Sequence, residues 1–361
     1  MKSHLFTPIK IGGLELSNRI IIPPMCQYSA TDGIANGWHT IHYGALSQSG
    51  AGLLIFEACA VSPEARISYA DLGLWSDETE AALKNLVNTL KTWSTIPLSL
   101  QLAHAGRKAA TLKPWEGAGT SKAHKWQIFA PSAIAYSDKY QTPAALTHEG
   151  IKKVKEDFKQ AAKRARRINF DSIETHMAHG YLLHQFLSPI SNKRDDEYGG
   201  SLENRMRLPL EIFKIVAEEF GGATGVRISG SDLVRGGWDI DEVVRLVKEL
   251  QKLGCAYAHI SSGGLSPDQS IAVGAGYQLE FAAKVKRETG IPTIAVGLIT
   301  EPETAEAAIA SNQADMVAIG RGALYDPRWG WHAAAKLGQT LAPSPQYLRC
   351  QPNTLKELFK K

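Results

Sequence analysis

Cysteine is scarce and dispersed in this 361-residue chain: Cys26, Cys59, Cys255 and Cys350 are the only four. No two form a C-x-x-C pair, so neither a zinc ribbon nor an iron–sulfur cluster is encoded locally. Long apolar runs are missing too, and none could span a bilayer. The amino end, Met1-Lys2-Ser3-His4, leads straight into a Pro-containing turn and lacks the apolar core of a signal peptide. The expected compartment is therefore the reducing cytoplasm, with no membrane partner. Basic side chains do not cluster: 40 Lys and Arg against 36 Asp and Glu leave a net charge of +4, read as mixed, solvated charge with no nucleic-acid partner. No G-x-G-x-x-G follows a strand, so a Rossmann dinucleotide site is unsupported. Internal repeats, low-complexity tracts and a second domain boundary are likewise absent, and residues 1–361 are expected to form a single domain. What is present is apolar: 44% hydrophobic against 21% charged residues supports a full core and excludes a disordered chain.

The apolar residues are arranged in an alternating pattern. Leu5 to Leu16 reads as a hairpin turning at Gly12-Gly13, able to plug the bottom of a barrel. Eight short strands follow: Arg19–Ile22, ended by Pro23-Pro24, then Leu53–Phe56, Leu98–Leu102, a segment containing Ile173–Thr175, Val226–Ile228, Ala258–Ile260, Thr293–Val296 and Met316–Ile319. Continuous apolar runs suit parallel strands covered on both faces. Helical periods lie between them at about 77–92, 203–220, 240–253, 278–289 and 302–311. The clearest helix starts at Thr147, a plausible N-cap, with Ile151, Val154, Phe158, Ala161, Ala165 and Ile168 on one face. The expected fold is α/β, a single (β/α)8 barrel with an N-terminal β-hairpin. One connection is oversized: residues 103–146 leave the third strand without a helical period and are expected to form a lid over the active face.

Chemistry-bearing residues collect where that fold puts an active face, at the carboxyl ends of the strands. His176-Met177-Ala178-His179-Gly180-Tyr181 follows the short apolar segment Ser172–Thr175. Two imidazoles three residues apart could converge on one oxygen, with the phenol nearby to hand over a proton. Spacing alone leaves three readings open: oxyanion donors, structural histidines, or a metal pair needing a third ligand such as His104 or His259. Gly297 after the seventh strand and Ile319-Gly320-Arg321-Gly322 after the eighth match the usual barrel phosphate site, and Arg321 can clamp phosphate oxygens. Ser261-Ser262-Gly263-Gly264 adds a small-residue loop on the same face. Gln101 and Arg227 lie inside buried strands, where polar side chains need partners. A flat, polar, heteroaromatic ligand would satisfy both; the alternative for Arg227 is an ion pair with a carboxylate such as Glu57.

Three segments together resemble the signatures of the Old Yellow Enzyme family: Gln101-Leu102-Ala103-His104-Ala105-Gly106-Arg107, His176-x-x-His179-Gly180-Tyr181, and the block from Ser191-Asn192-Lys193-Arg194 to Glu203-Asn204-Arg205. Pro24-Met25-Cys26-Gln27-Tyr28 and Ile319-Gly320-Arg321 are also similar, and Cys26 with Tyr28 resembles the xenobiotic-reductase and thermophilic-like branch of bacterial NADPH dehydrogenases. The resemblance runs from about Leu5 to Arg349. It implies an FMN cofactor, NAD(P)H as reductant, and ping-pong reduction of electron-poor alkenes, α,β-unsaturated carbonyl compounds and nitro compounds among them. It further implies cofactor contacts from Pro23, Pro24, Met25, Cys26, Ala60, Gln101, Arg227, Gly297, Gly320 and Arg321. His176, His179 and Tyr28 would grip the substrate oxygen, Tyr181 would donate the proton, and Cys26 would tune the flavin.

A homodimer or higher homo-oligomer is implied as well. In the tail, 340–361, Gln346-Tyr347-Leu348-Arg349 resembles a segment whose arginine enters a neighbouring subunit's site, although twelve residues follow Arg349 here. Val296 stands where a close relative's pattern would place tryptophan, and Lys113 to Gln127, with Trp115 and Trp126, matches only some members. Three other readings compete. An iron–sulfur reductase of dienoyl thioesters would need a cysteine cluster after the barrel, where only Cys350 lies. A metal-dependent barrel hydrolase would need the missing third ligand, and a non-catalytic flavin-binding protein would bind without turnover.

Overall fold

The computed structural model describes residues 3–359; Met1, Lys2, Lys360 and Lys361, the ends of the expected domain and tail, lie outside the described residues. In chain order the elements are β1 (Ile9–Ile11), β2 (Leu14–Leu16), β3 (Ile20–Ile22), α1 (Gly37–Ser47), β4 (Leu53–Ala60), α2 (Asp77–Trp93), β5 (Leu98–Ala103), β6 (Phe129–Ala130), β7 (Ala144–Ala145), α3 (His148–Ile168) and β8 (Ser172–Met177). There follow α4 (Leu182–Leu187), α5 (Leu202–Phe220), β9 (Ala223–Ser229), α6 (Ile240–Lys252), β10 (Ala258–Ser261), α7 (Leu279–Thr289), β11 (Thr293–Ala295), α8 (Pro302–Ala310), β12 (Met316–Ala318), α9 (Arg321–Tyr325) and α10 (Trp329–Lys336). Eight parallel strands close into a barrel in the order β3-β4-β5-β8-β9-β10-β11-β12, with β12 pairing back onto β3. This is the (β/α)8 barrel expected from the alternating pattern.

Local chemistry sets the ends of these elements. Thr147 accepts the Gly150 N–H and opens α3; the buried stripe from Ile151 to Ile168 faces the barrel, and Asn169 in the left-handed region closes the helix. The β1–β2 hairpin turns at Gly12-Gly13, with Ile11 opposite Leu14. Gly12 has φ +50°, and a Cβ there would meet the Ala256 methyl at 2.6 Å, so the hairpin can press against the barrel only without a side chain. Ile11 and Leu16 pack with Ile21, Leu53, Tyr257, Ile294 and Met316, a cluster across the floor of the barrel that is separate from the main core.

The structure also differs from the sequence reading. β8 runs on to Met177, because His176 and Met177 continue the ladder against Arg227 and Ile228. His176 is thus part of the strand and not of the loop beyond it. α1 was not expected: its period is blurred by Trp38 and Ile41, which are apolar yet exposed, although Asn36 and His39 form a capping box at its start. In the oversized connection the helical structure is one short 3₁₀ turn, Gly106–Lys108, followed by the two-residue pair β6–β7. At the tail, Arg349 is exposed, while Tyr347 packs edge-on against Trp331 of its own chain.

Replacing a buried floor residue should be costly if the hairpin closes the barrel. Ile11→Ala is expected to lower stability by about 2–5 kcal/mol in urea unfolding; a loss below about 1 kcal/mol would show that the hairpin is not part of the core.

Candidate active site

A cavity opens at the carboxyl ends of the strands. Its wall is formed by Pro23, Pro24 and Met25 after β3, Arg227 of β9, Ser261 of β10, Val296 and Gly297 after β11, and Gly320 and Arg321 after β12. Seven residues expected from the sequence to contact one ligand therefore share one surface: Pro23, Pro24, Met25, Arg227, Gly297, Gly320 and Arg321. Arg227 is buried, and its Nε has no hydrogen-bond partner. The expected alternative, an ion pair with Glu57, is overturned. Glu57 sits at an irregularity of the β4–β5 ladder and instead accepts the Gln27 N–H and the Tyr43 hydroxyl. A buried guanidinium left without an anion fits an electron-rich, acceptor-bearing ring, so the residues present suit a flavin.

Of the other expected contacts, Cys26, Ala60 and Gln101 are not among the residues that form its wall. Gln101 Nε2 donates to Glu174 Oε1 at 2.7 Å, and Glu174 Oε2 lies 3.0 Å from His259 Nδ1. A carboxylate only accepts, so the amide nitrogen faces Glu174 and the amide oxygen is left over. The Ser261–Gly264 loop divides its work. Ser261 faces the cavity, whereas Gly264 lets the loop backbone lie against the backbone of His179.

The two imidazoles and the phenol meet as the sequence suggested. The His176 ring centroid lies 5.2 Å from that of His179 and 5.1 Å from that of Tyr181. The Ala178 N–H donates to His176 Nδ1 at 3.2 Å, so in the neutral ring the proton is on Nε2. Ser261 Oγ lies 2.8 Å from His179 Nε2 and 3.5 Å from Gln278 Oε1. His179 Nε2 is therefore engaged by this hydroxyl in either tautomer. Burial and the Arg227 charge hold both imidazoles well below the usual histidine range. His176 is a neutral donor with its Nε2–H to spare, and His179 is a neutral ring whose Nε2 is taken by Ser261.

Tyr181, Cys26 and Tyr28 pack around one small cluster, Ile67, Ala105, Ala109, Ala110 and Ile128. Burial pushes the Cys26 thiol well up, with Asp71 and Glu57 adding to it, so it is a thiol and not a thiolate. The Tyr181 phenol is also pushed well up, chiefly by burial. Tyr28 has φ +49°, and its ring meets Trp115 edge-on at 6.1 Å.

The backbone of His179 and Gly180 is held from four sides. Ser229 Oγ accepts the His179 N–H at 3.0 Å and Lys108 Nζ donates to the His179 carbonyl at 2.8 Å. His184 Nδ1 accepts the Gly180 N–H at 2.9 Å and Gln185 Nε2 donates to the Gly180 carbonyl at 2.7 Å. His184 Nε2 in turn reaches Asp232 at 2.8 Å. Sequence reasoning does not single out Lys108, His184, Gln185, Ser229 and Gln278 as site residues. Lys108 directly follows the Gln101–Arg107 motif, and that adjacency is the one available signal; Gln278 reads only as the start of the helix at 278–289 and is the N-cap of α7.

The metal reading finds no third ligand. His104 Nδ1 accepts the Gly106 N–H, and His259 is bonded to Glu174. Among the described residues, the one group able to share an ion is His148, Asp196 and Glu197, away from this cavity.

The class follows from this chemistry: a barrel oxidoreductase whose cavity would suit a flat, electron-accepting cofactor, with neutral imidazoles next to Arg227 at the strand ends. The sequence matches the NADH:flavin oxidoreductase / NADH oxidase family over residues 4–339. It is 44% identical over 349 residues to an NADPH dehydrogenase of Listeria welshimeri, covering 96% of this chain and 99% of that one. To an NADPH dehydrogenase of Geobacillus thermodenitrificans it is 42% identical over 351 residues, covering 97% and 99%. Among solved structures it is similar to morphinone reductase, with a TM-score of 0.79, 31% identity and coverage of 100% of this chain and 94% of the other. It is also similar to the old yellow enzyme homologue from Zymomonas mobilis, with a TM-score of 0.76, 26% identity and coverage of 94% of each. The chain belongs to the NADH:flavin oxidoreductase / NADH oxidase family, that of Old Yellow Enzyme and the bacterial NADPH dehydrogenases, and is an NAD(P)H-dependent flavin oxidoreductase with FMN as cofactor. No helix among the described residues is long and apolar enough to cross a membrane.

The turn carrying His179 and Tyr181 tolerates no side chain at Gly180, whose φ is +72° and where a Cβ would lie 2.2 Å from the Gly264 carbonyl oxygen. Gly200 has a similar φ of +77° with open space around it. Gly180→Ala should therefore destabilise by at least about 2 kcal/mol against about 1 kcal/mol for Gly200→Ala, compared by thermal or urea unfolding. Equal costs would show that the Gly264 contact does not constrain the turn.

Proposed function

We propose that this enzyme reduces the C=C bond of α,β-unsaturated carbonyl compounds, and nitro compounds, at the expense of NAD(P)H by a ping-pong mechanism. The observation that carries this reading is the pair of neutral imidazoles, with the Nε2–H of His176 uncommitted, at the carboxyl end of β8 beside the Arg227 guanidinium. Morphinone reductase, a structural neighbour, has been solved in complex with tetrahydroNAD, which supports a nicotinamide nucleotide as the reductant.

Bound FMN would supply the hydride-transfer chemistry between NAD(P)H and the alkene. The chain's own residues do the rest. Arg227 and the amide oxygen of Gln101 engage the polar edge of the cofactor, with Pro23, Pro24, Met25, Cys26 and Ala60 beside it. Gly297, Gly320 and Arg321 hold its phosphate, since backbone N–H groups at the start of α9 and a guanidinium both suit an anion. His176 Nε2–H and the His179 ring, with the Tyr28 hydroxyl, hold the substrate oxygen and stabilise the negative charge that develops there. Because both imidazoles are neutral, they polarise this oxygen without giving up a proton. The proton for Cα comes from Tyr181. Cys26, as a protonated thiol, tunes the cofactor at close range. The 103–146 excursion covers the mouth and excludes water.

Two predictions follow from the roles assigned to the donors and to Arg227. Replacing both His176 and His179 with Ala should leave FMN bound but lower kcat/KM for cyclohexenone by at least about 100-fold, since one such donor typically contributes about 3 kcal/mol; full turnover by the double variant would remove the histidines from the mechanism. Arg227→Met should weaken FMN about 10- to 100-fold in fluorescence titrations of the apoprotein, the range for a hydrogen bond from a charged group. An unchanged Kd would place the cofactor elsewhere.

A further inference from the structure

Lys108 is a cation without an anion. Among the described residues it takes part in no ion pair. Its ammonium, on the 3₁₀ turn after β5, donates to the carbonyls of His179 at 2.8 Å and Gly264 at 2.9 Å. It also lies over two aromatic faces, Tyr136 at 4.8 Å and Tyr181 at 5.1 Å. A lysine used only to tie loops together needs no particular ring beneath it and is stabilised by a carboxylate partner. Here the partners are dipoles and π-faces, and one of those faces belongs to the residue read above as the proton donor.

We propose that Lys108 is a positioning residue for proton delivery: it fixes the His179 carbonyl and holds positive charge against the Tyr181 ring, easing loss of the phenolic proton. This inference rests on the reading of Tyr181 as the proton donor. In the step concerned, the Tyr181 O–H bond breaks and a C–H bond forms at Cα of the alkene, while hydride originating from NAD(P)H forms the bond at Cβ. The phenolate left on Tyr181 regains its proton from water, so each turnover consumes one alkene, one NAD(P)H and one proton. Negative charge on the phenolate appears beside the ammonium only during that step, which is when the interaction strengthens.

The surroundings favour this use of Lys108. Burial, and then the neighbouring Arg107, hold the ammonium down to about 8. The groups facing it are Arg107 on its own turn, Tyr136 from the excursion, His176 at the end of β8, and His179 and Tyr181 after it; the loop after β10 contributes only the Gly264 carbonyl. The phenols are neutral below their raised titration range and the histidines are neutral above their lowered one. Between pH 6 and 9 the charge that changes in this group is therefore that of Lys108.

The test follows the two half-reactions of the holoenzyme separately by stopped-flow absorbance, with NADPH and then cyclohexenone. Lys108→Met should slow flavin reoxidation about 10- to 100-fold and change flavin reduction by less than about 3-fold. In the unmodified enzyme reoxidation should decline above about pH 8. That limb should vanish in Lys108→Met and move above about pH 9 in Lys108→Arg, whose charge persists. In a Tyr181→Phe background, Lys108→Met should add less than about 2-fold, because the two act as one unit. Reoxidation unaffected by Lys108→Met, equal slowing of both half-reactions, or full additivity with Tyr181→Phe would overturn the proposal. If Lys108→Met does not fold, Lys108→Arg decides: a limb still near pH 8 counts against Lys108. Normal reoxidation by Tyr181→Phe alone would instead remove the proton-donor reading and this inference with it, an outcome distinct from additivity between two slow variants.

Discussion

The molecule depends on a set of cations left without counter-ions at the mouth of its barrel. Arg227, Arg107 and Lys108 lie there, and none of them makes an ion pair among the described residues. Arg107 donates to the Leu265 carbonyl and lies over Tyr136; Lys108 donates to two carbonyls; Arg227 Nε donates to nothing. Burying a charge in this way is unfavourable, and a fold tolerates it where an anion or a developing negative charge is the intended partner. Closure of the barrel by eight parallel strands and the apolar floor beneath them supply the stability that allows the mouth to be strained in this sense.

The protonation states of the neighbouring side chains follow from the same arrangement. On the β8–β9 side, burial and the Arg227 charge keep His176 and His179 neutral. Around the neighbouring apolar cluster, burial does the corresponding work on Cys26 and Tyr181, and two buried acids reinforce it at Cys26. Those acids, Glu57 and Asp71, are themselves held up by burial to about 8 and about 6. The imidazoles, the thiol and the phenol at the mouth are thus neutral, beside the positive charge of Arg227.

Much of this was legible in the chain, but by two different routes. The eight strands could be read because a strand covered on both faces must be apolar throughout. Gln101 and Arg227 stood out because they violate that rule. The hairpin turn and α3 were legible from Gly12-Gly13 and from Thr147 with its stripe. The roles of His176, His179, Tyr181 and Cys26 came from motif resemblance, since spacing alone left metal, donor and structural readings open. What could not be read depends on loops meeting across the barrel. Lys108 and Gly264 come from different loops, yet both lie against the His179 backbone. The partner of Glu57 was misjudged because the ladder irregularity that turns it toward Gln27 has no sequence signature. The sequence places His176 beyond the strand because polar residues at a strand end look like loop.

The polar wall is also one-sided, and that gives the barrel a direction across its mouth as well as along its axis. On β5, β8, β9 and β10 the buried polar residues include Ser99, Gln101, Glu174, His176, Arg227, His259 and Ser261. Around β3, β11 and β12 the cavity wall includes Pro23, Pro24, Met25, Val296, Leu298 and Ala318. A planar ligand with one polar and one apolar edge can satisfy both halves in a single orientation; turned over, its acceptors would face proline and aliphatic side chains and Arg227 would remain unpaired. The glycine loops after β11 and β12 border the apolar half, so a phosphate tail anchored there and a polar edge drawn to Arg227 would pull from different sides of the same cavity. Orientation is then fixed by what each half of the wall refuses as much as by what it binds.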